Sequence, residues 1–243
     1  MRMIREKTIV QLTYLPKIFP VNCYLVEEED SLTLVDAALP GNVEAILQAA
    51  QQLGKPINRI VLTHAHEDHI GALDGLKERL PAAQVFISYR DAKLLQGDRS
   101  LEPSEPNTPI RGGVPKNVRT RPDVLLRDGD AIGSLLAVAS PGHTPGSMSF
   151  LDTRNNMLIV GDAFQTRAGV AVSGQLRLLF PFPAMATWDK HTSLESARRL
   201  RALKPTAIAA GHGNMVLKPA LSLGKAIADA ERSLAKASRK GSA

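Results

Sequence analysis

The first part of the chain alternates apolar and polar positions or runs in short β-branched blocks. Thr8–Leu15, Asn22–Glu27 and Ser31–Val35 therefore predict strands separated by turn residues. The period then changes. Val43, Ile46, Leu47, Ala50 and Leu53 recur on one face of an amphipathic helix that Gly54 ends. Ile60-Val61-Leu62 reads as a short apolar strand. Ile70, Leu73, Leu76 and Leu80 give a second helical stripe, stopped by Pro81. Gln84–Ser88 predicts a strand and Arg90–Gln96 a short helix. From Gly97 to Pro122 there is no period, only Pro, Gly and charge, and a loop of that length is either functional or disordered. Strand patterns return at Val124–Leu126, Ala131–Ala139, Ser147–Asp152 and Met157–Val160. Trp188–Leu203 predicts a helix with Thr187 as its N-cap, Thr206–Ala209 a strand and Leu221–Lys236 a closing helix. Strands precede helices in both halves, without a repeat or a low-complexity linker. The expectation is one layered α/β domain over residues 1–243.

Composition narrows the class. Apolar residues make up 44% and charged residues 22%, which excludes wholesale disorder. No apolar run reaches the roughly 18 residues of a membrane span. The start, Met1-Arg2-Met3-Ile4-Arg5-Glu6-Lys7, is charged where a signal peptide turns apolar, so a cytoplasmic location is expected. Cys23 is the only cysteine, which rules out an internal disulfide and a multi-Cys zinc site. The formal charge is +6. Arg111, Lys116, Arg119, Arg121 and Arg127 fall close together, but no interleaved aromatic residues are present to stack bases. The charge is read as a solubility feature, and the expected partner is a small-molecule substrate, with neither nucleic acid nor membrane.

The chemistry concentrates in Thr63-His64-Ala65-His66-Glu67-Asp68-His69. His64 and His66 follow an apolar strand, and residues two apart in extended chain point the same way, so both imidazoles can reach one cation. Asp68 and His69 open the next helix and aim at a neighbouring point. Shared between two ions, these four groups leave each ion short of ligands, and the remainder must come from elsewhere. His143 in Pro141-Gly142-His143-Thr144-Pro145-Gly146, Asp162 after Gly161, and His212 between Gly211 and Gly213 each follow an apolar strand and adjoin glycine. If the strands align, their ends meet on one rim.

The order Thr-His-x-His-x-Asp-His, Pro-Gly-His-Thr-Pro-Gly-Ser, Gly-Asp, Gly-His-Gly resembles the metallo-β-lactamase superfamily, from about Asn22 to Gly213. The resemblance implies a four-layer αββα sandwich, two mixed central sheets flanked by helices, with a dinuclear metal site on one edge. It implies that His64, His66 and His143 bind one metal, that Asp68, His69 and His212 bind a second, and that Asp162 bridges them. Asp36 matches an early acidic position that supports the site, and equally suits a strand-end turn. Two divalent ions are implied, zinc by default, with iron or manganese also suited to imidazole and carboxylate.

The implied activity is a metal-dependent hydrolase using a bridging hydroxide to cleave an ester, thioester or lactone. Asp68, whose second oxygen is free, is the candidate catalytic residue that orients the hydroxide or shuttles a proton. The alternatives are a phosphodiesterase or nuclease-type hydrolase on the same site, an iron-dependent oxidoreductase, and a non-enzymatic metal scaffold. A true β-lactamase is not expected, because those enzymes are exported and generally lack the bridging aspartate. Gln165 stands where acyl-homoserine lactonases place a tyrosine, and the Gly-Arg-rich stretch typical of glyoxalase II and persulfide dioxygenases is missing after Asp162.

Segments 97–122 and 165–187 are expected to shape the substrate site. The second carries Leu176, Leu178, Leu179, Phe180, Phe182 and Met185, followed by Trp188. Core packing under the next helix is the favoured reading for each of them, with an acyl pocket or a homodimer surface as the alternatives. His191 is expected at the surface and Cys23 in a buried strand.

Overall fold

The computed structural model describes residues 1–241; residues 242 and 243 of the expected 1–243 span lie outside the described residues. Element order follows the sequence pattern with few departures. The first half runs β1 (Arg2–Glu6), β2 (Ile9–Tyr14), β3 (Val21–Glu27), β4 (Leu32–Val35), α1 (Val43–Gln52), β5 (Ile57–Val61), α2 (Glu67–Ile70), α3 (Leu73–Arg79), β6 (Gln84–Ser88), α4 (Asp91–Leu95) and β7 (Val124–Leu126). The second runs β8 (Ala131–Ile132), β9 (Leu135–Ala139), β10 (Met148–Asp152), β11 (Met157–Gly161), β12 (Phe164–Gln165), β13 (Ala171–Val172), α5 (Phe182–Ala186), α6 (Lys190–Ala202), β14 (Ala207–Ala210), β15 (Val216–Leu217) and α7 (Ala220–Gly241).

Among the described residues, β1 to β7 form one sheet in sequence order. A second sheet has the order β15-β14-β11-β10-β9-β8. Both are mixed: β4, β5, β6 and β7 are parallel neighbours in the first, and β11 and β14 in the second. Strand alternation explains the layers. Val35, Val61 and Phe86 point between the sheets and pack with Ala137, Phe150 and Ile159. Their neighbours Leu34, Ile60 and Val85 point outward, onto Ile46 of α1, Leu76 of α3 and Leu94 of α4. Leu158, Val160 and Ile208 face the other way, onto Leu194 and Leu200 of α6 and Leu223 and Ile227 of α7. The result is the four-layer αββα sandwich.

Four departures have physical causes. β1 was not expected from its charged sequence, yet Arg2–Glu6 pairs antiparallel with β2 as an edge strand, where charge is tolerated because one side meets water. The helix expected over 70–80 breaks at Gly71, where the chain passes so close to Pro40 and Ala38 that a side chain would not fit. Ala131–Ala139 folds back at Gly133 into the β8–β9 hairpin. The N-cap of α6 is Asp189, not Thr187: the Asp189 carboxylate accepts from Thr192 N at 2.7 Å, while the Thr187 hydroxyl donates to Pro183 O.

Among the described residues, no helix is long and apolar enough to cross a membrane. Cys23 is buried in β3 and His191 is exposed on α6. The 97–122 segment has no regular element, but it is tied down by the Arg90–Glu105 ion pair and by the Trp188 indole donating to Thr108 O.

Candidate metal centre

Strand direction decides where the site lies. β4, β5, β11 and β14 end on the same rim, and β9 runs parallel to β11 because both are antiparallel to β10. Asp36 follows β4, His64 and His66 follow β5, His143 follows β9, Asp162 follows β11 and His212 follows β14. The two sheets are stitched together at this rim: Met148 N donates to Thr63 O at 2.8 Å, and Asn22 N donates to Gly211 O at 2.9 Å. The Asn22 amide also donates to Ala210 O and Gly213 O, and Gln11 donates to Gly213 O, fixing the turn that carries His212.

All seven sequence-predicted donor residues come together. His64 Nε2 lies 3.1 Å from His66 Nδ1, which lies 3.0 Å from His143 Nε2. His212 Nε2 is 3.4 Å from Asp68 Oδ2, and His69 Nε2 is 4.0 Å from the same oxygen. Asp162 stands between these groups, with Oδ2 at 3.4 Å from His143 Nε2 and 3.2 Å from His212 Nε2, and Oδ1 at 3.5 Å from His69 Nε2. Three sets of three donors have atoms within 4.8 Å of one another: His64, His66 and His143; His64, His69 and Asp162; and Asp68, His69 and His212.

The outward nitrogen of each ring is held. His66 Nε2 donates to Arg111 O at 2.9 Å and His212 Nδ1 to Pro20 O at 2.7 Å, since a carbonyl can only accept. His69 Nδ1 donates to Asp36 Oδ2 at 2.8 Å. The Asp36 carboxylate also accepts from the Thr63 hydroxyl, so that hydroxyl in turn accepts from His64 Nδ1. His143 Nδ1 meets Ser173 Oγ, which meets Thr187 Oγ1, which donates to Pro183 O, so protons run outward along this chain as well. With those protons committed outward, the inward nitrogens of His64, His66 and His143 face each other as lone pairs at hydrogen-bond distance. A cation among them resolves that conflict.

Three further observations fit a metal. His69 Nε2 and Asp162 Oδ1 are buried and have no hydrogen-bond partner among the described residues. A Cβ on Gly211 would overlap both Asp162 Oδ1 and the His69 ring, so glycine leaves these donors their room. Gly112, at φ +86, lets the 97–122 segment lie against His66 in the same way.

Charge follows the same division. Burial pushes His64 far below the ordinary imidazole range and His143 down to about 3, keeping both neutral. Burial opposes a charge on His69 as well, but Asp36, Asp162 and Asp68 outweigh it and raise His69 to about 9. Burial opposes ionisation of Asp68 and Asp162 too, yet the histidines around them hold both well below the usual carboxylate range. The centre therefore joins a neutral imidazole cluster to a carboxylate-rich half, a donor set suited to divalent metal ions. It opens into a cavity of about 960 Å³ lined in part by His66, Asp68, His143, Asp162 and His212.

A model of the metallo-beta-lactamase superfamily matches residues 16–212. The chain belongs to the metallo-beta-lactamase superfamily. It is thus an enzyme of the metallo-hydrolase kind. Within the superfamily it is 56% identical over 232 residues to the uncharacterized protein YobT of Bacillus subtilis (strain 168), covering 96% of this chain and all of that one. It is 31% identical to the probable metallo-hydrolase YflN of the same organism, covering 79% of this chain and 80% of that one. A crystal structure of TTHA1623 in a di-iron-bound form is 26% identical, with a TM-score of 0.63, covering 86% of this chain and 95% of that one.

Reasoning from sequence missed the residues that hold the donors: Arg111 and Pro20 through backbone carbonyls, Ser173 and Thr187 through hydroxyls, and Asn22 and Gln11 through amides. None carries a spacing signal. Asp91 was also missed. Its buried carboxylate accepts from Ala65 N between the two histidines and from Thr144 Oγ1 and Gly146 N after His143, binding the two donor loops together. Asp36, left open in the sequence, lies against His69 rather than in a free turn.

Proposed function

We propose that the protein is a dinuclear metal-dependent hydrolase that cleaves an ester, thioester or lactone. The observation that carries this reading is the placement of Asp162, one oxygen against His143 and His212 and the other, unpartnered, toward His69. On this reading His64, His66 and His143 would hold one ion, Asp68, His69 and His212 would hold a second, and Asp162 would serve both. Bound there, two such ions, zinc by default, would supply Lewis-acid chemistry: a more acidic water near neutral pH and polarisation of a carbonyl oxygen.

The chain's own groups do the rest. Asp68 is ionised, lines the cavity and meets His212 and His69 through Oδ2, so it is the group that orients a water or hydroxide beside the reacting carbonyl. Asp36 and Thr63 hold His69 and His64 in one orientation, and the 97–122 segment covers His66, limiting the approach of bulk water. The di-iron form of TTHA1623 supports a two-ion reading without selecting the metal here.

Elemental analysis combined with a panel of esters, thioesters, lactones and phosphodiesters tests the proposal. Two ions per chain and turnover of a carbonyl substrate are expected, both lost together in His66→Ala. Turnover retained by a metal-free His66→Ala protein, or cleavage confined to phosphodiesters, would overturn it.

A further inference from the structure

The cavity above the donor set is bordered over part of its wall by apolar side chains. Away from the donors its wall includes Phe19, Leu39, Phe182 and Met185, and Glu67, Asp74 and Lys116 line it as well. Its volume of about 960 Å³ lies at the upper end of small-molecule sites, about 300–1,000 Å³. The apolar surface also continues outward. Phe182 is 51% and Met185 66% exposed although both line the cavity. In the same segment Leu178 and Leu179 are each 87% exposed, and Ile18 beside Phe19 is 80% exposed. The sequence favoured core packing for these side chains; it holds for Phe180 and Trp188, which are buried, but not for Leu176, Leu178, Leu179, Phe182 and Met185.

These groups are joined to one another and to the donors. The Arg167 guanidinium donates to Lys17 O, clipping the 15–19 turn to the 165–187 segment. The Phe19 ring lies 5.1 Å from Phe182 and 5.2 Å from the His212 imidazole, centroid to centroid. An unbroken aromatic path therefore leads from open surface to a donor histidine.

We infer that this path is the binding channel for a long acyl chain. The carbonyl end of the substrate lies at Asp68, Asp162 and His212, and the chain runs over Phe19, Phe182 and Met185 toward Leu178 and Leu179. Assigning the bound group as the acyl part of a hydrolysed substrate rests on the hydrolase reading; the apolar channel itself does not. The occupant is a flexible alkyl chain rather than a second protein copy because Phe182 and Met185, half exposed or more, belong to the cavity wall and Leu178 and Leu179 lie in the same chain segment. A substrate filling the cavity covers Phe182 and Met185 from within.

The test uses straight-chain carboxylates from butanoate to dodecanoate, titrated calorimetrically into the full-length protein as purified, so that binding is read without turnover. Burial of each methylene is expected to tighten binding roughly three- to fourfold until the channel is full. Phe182→Ser and Met185→Ser, both at exposed positions compatible with folding, should flatten that dependence. Leu221→Ser, at an exposed leucine outside the cavity lining, should leave it unchanged. In parallel, kcat/KM for a series of acyl esters should rise with chain length through KM rather than kcat.

Binding independent of chain length overturns the inference even if short esters are hydrolysed, and the hydrolase reading then stands alone. Chain-dependent binding without hydrolysis of any carbonyl substrate keeps the channel and removes the hydrolase. If Leu178→Ser with Leu179→Ser converts a dimer to a monomer in sedimentation and spares the chain dependence, the outer patch joins two copies and its assignment to the acyl chain is overturned.

Discussion

His69 Nδ1 lies 2.8 Å from Asp36 Oδ2, and both side chains are shut away from solvent. The same carboxylate accepts from Thr63 N and from the Thr63 hydroxyl, which reaches His64 Nδ1. One acid therefore orients a donor in each half of the centre. Asp36→Asn sets an amide N–H against groups that are already donors, and metal affinity is expected to fall about ten- to a hundredfold. Competition with a chromophoric chelator measures it. An affinity equal to that of the native protein would show that Asp36 does not orient the rings.

Gly211→Ala tests the space around Asp162 and His69. A methyl group there overlaps both donors, so bound metal should drop sharply while the far-ultraviolet circular dichroism stays native. Gly41→Ala, at a glycine with open space around its Cβ, is the control and should keep its full metal content. Equal metal content in the two variants would contradict the crowding argument.

Asp91 gives a pH signature. Burial raises its carboxyl from 3.8 to about 6, against the hydrogen bonds from Thr144, Ala65 and Gly146. A carboxyl raised on folding holds its proton more tightly in the native chain. Its contribution is therefore full below about pH 4 and is lost as the pH rises through about 6. Relative to Asp91→Asn, the native protein should lose on the order of 3 kcal/mol between about pH 4 and pH 7. Urea unfolding of both proteins at the two pH values reads the difference, in which other titrating groups cancel. A gap independent of pH would mean that Asp91 titrates outside this window.

Chelation should destabilise the folded state, because ions that bind only the native chain add about 2.7 kcal/mol at a hundredfold excess over Kd. For a chain of this length that corresponds to roughly 5–10 °C in Tm. Asp162→Ala, which removes the carboxylate between the two donor groups, should start lower and respond little to chelator. A full chelator response in Asp162→Ala would argue against its role as a shared ligand.

The elements and the donors were legible for different reasons. Strands such as Gln84–Ser88 and Met157–Gly161 could be read because their apolar residues reflect burial between layers, and burial is what a hydrophobic pattern records. The donors could be read because four of them crowd into His64–His69 and the other three each follow a strand. β1 left no such trace, since an edge strand with a wet face tolerates Arg2, Arg5 and Glu6. The cap of α6 was misplaced by two residues because Thr and Asp both cap helices, and Trp188 extends the apolar stripe without being helical. The hydroxyls and carbonyls behind the imidazoles left no pattern at all. Leu178 and Leu179 could not be told from core leucines, because a run of apolar residues does not say which side of it water lies on.

Ser173 and Thr187 form a relay of hydroxyls from His143 to Pro183 of α5, the helix that carries Phe182 and Met185. The other donors are carried by strand ends, and His212 meets this segment through the Phe180 ring and, by way of Phe19, the Phe182 ring. Exchanging residues 176–186 for an unrelated stretch, with Phe180, Pro183 and the hydroxyls of Ser173 and Thr187 kept, is expected to alter which molecules the proposed channel admits while the donors stay in place. If the channel proposal holds, choice of cargo and reactivity would sit in separate pieces of the chain, and one replaceable piece would open new substrates to exploration.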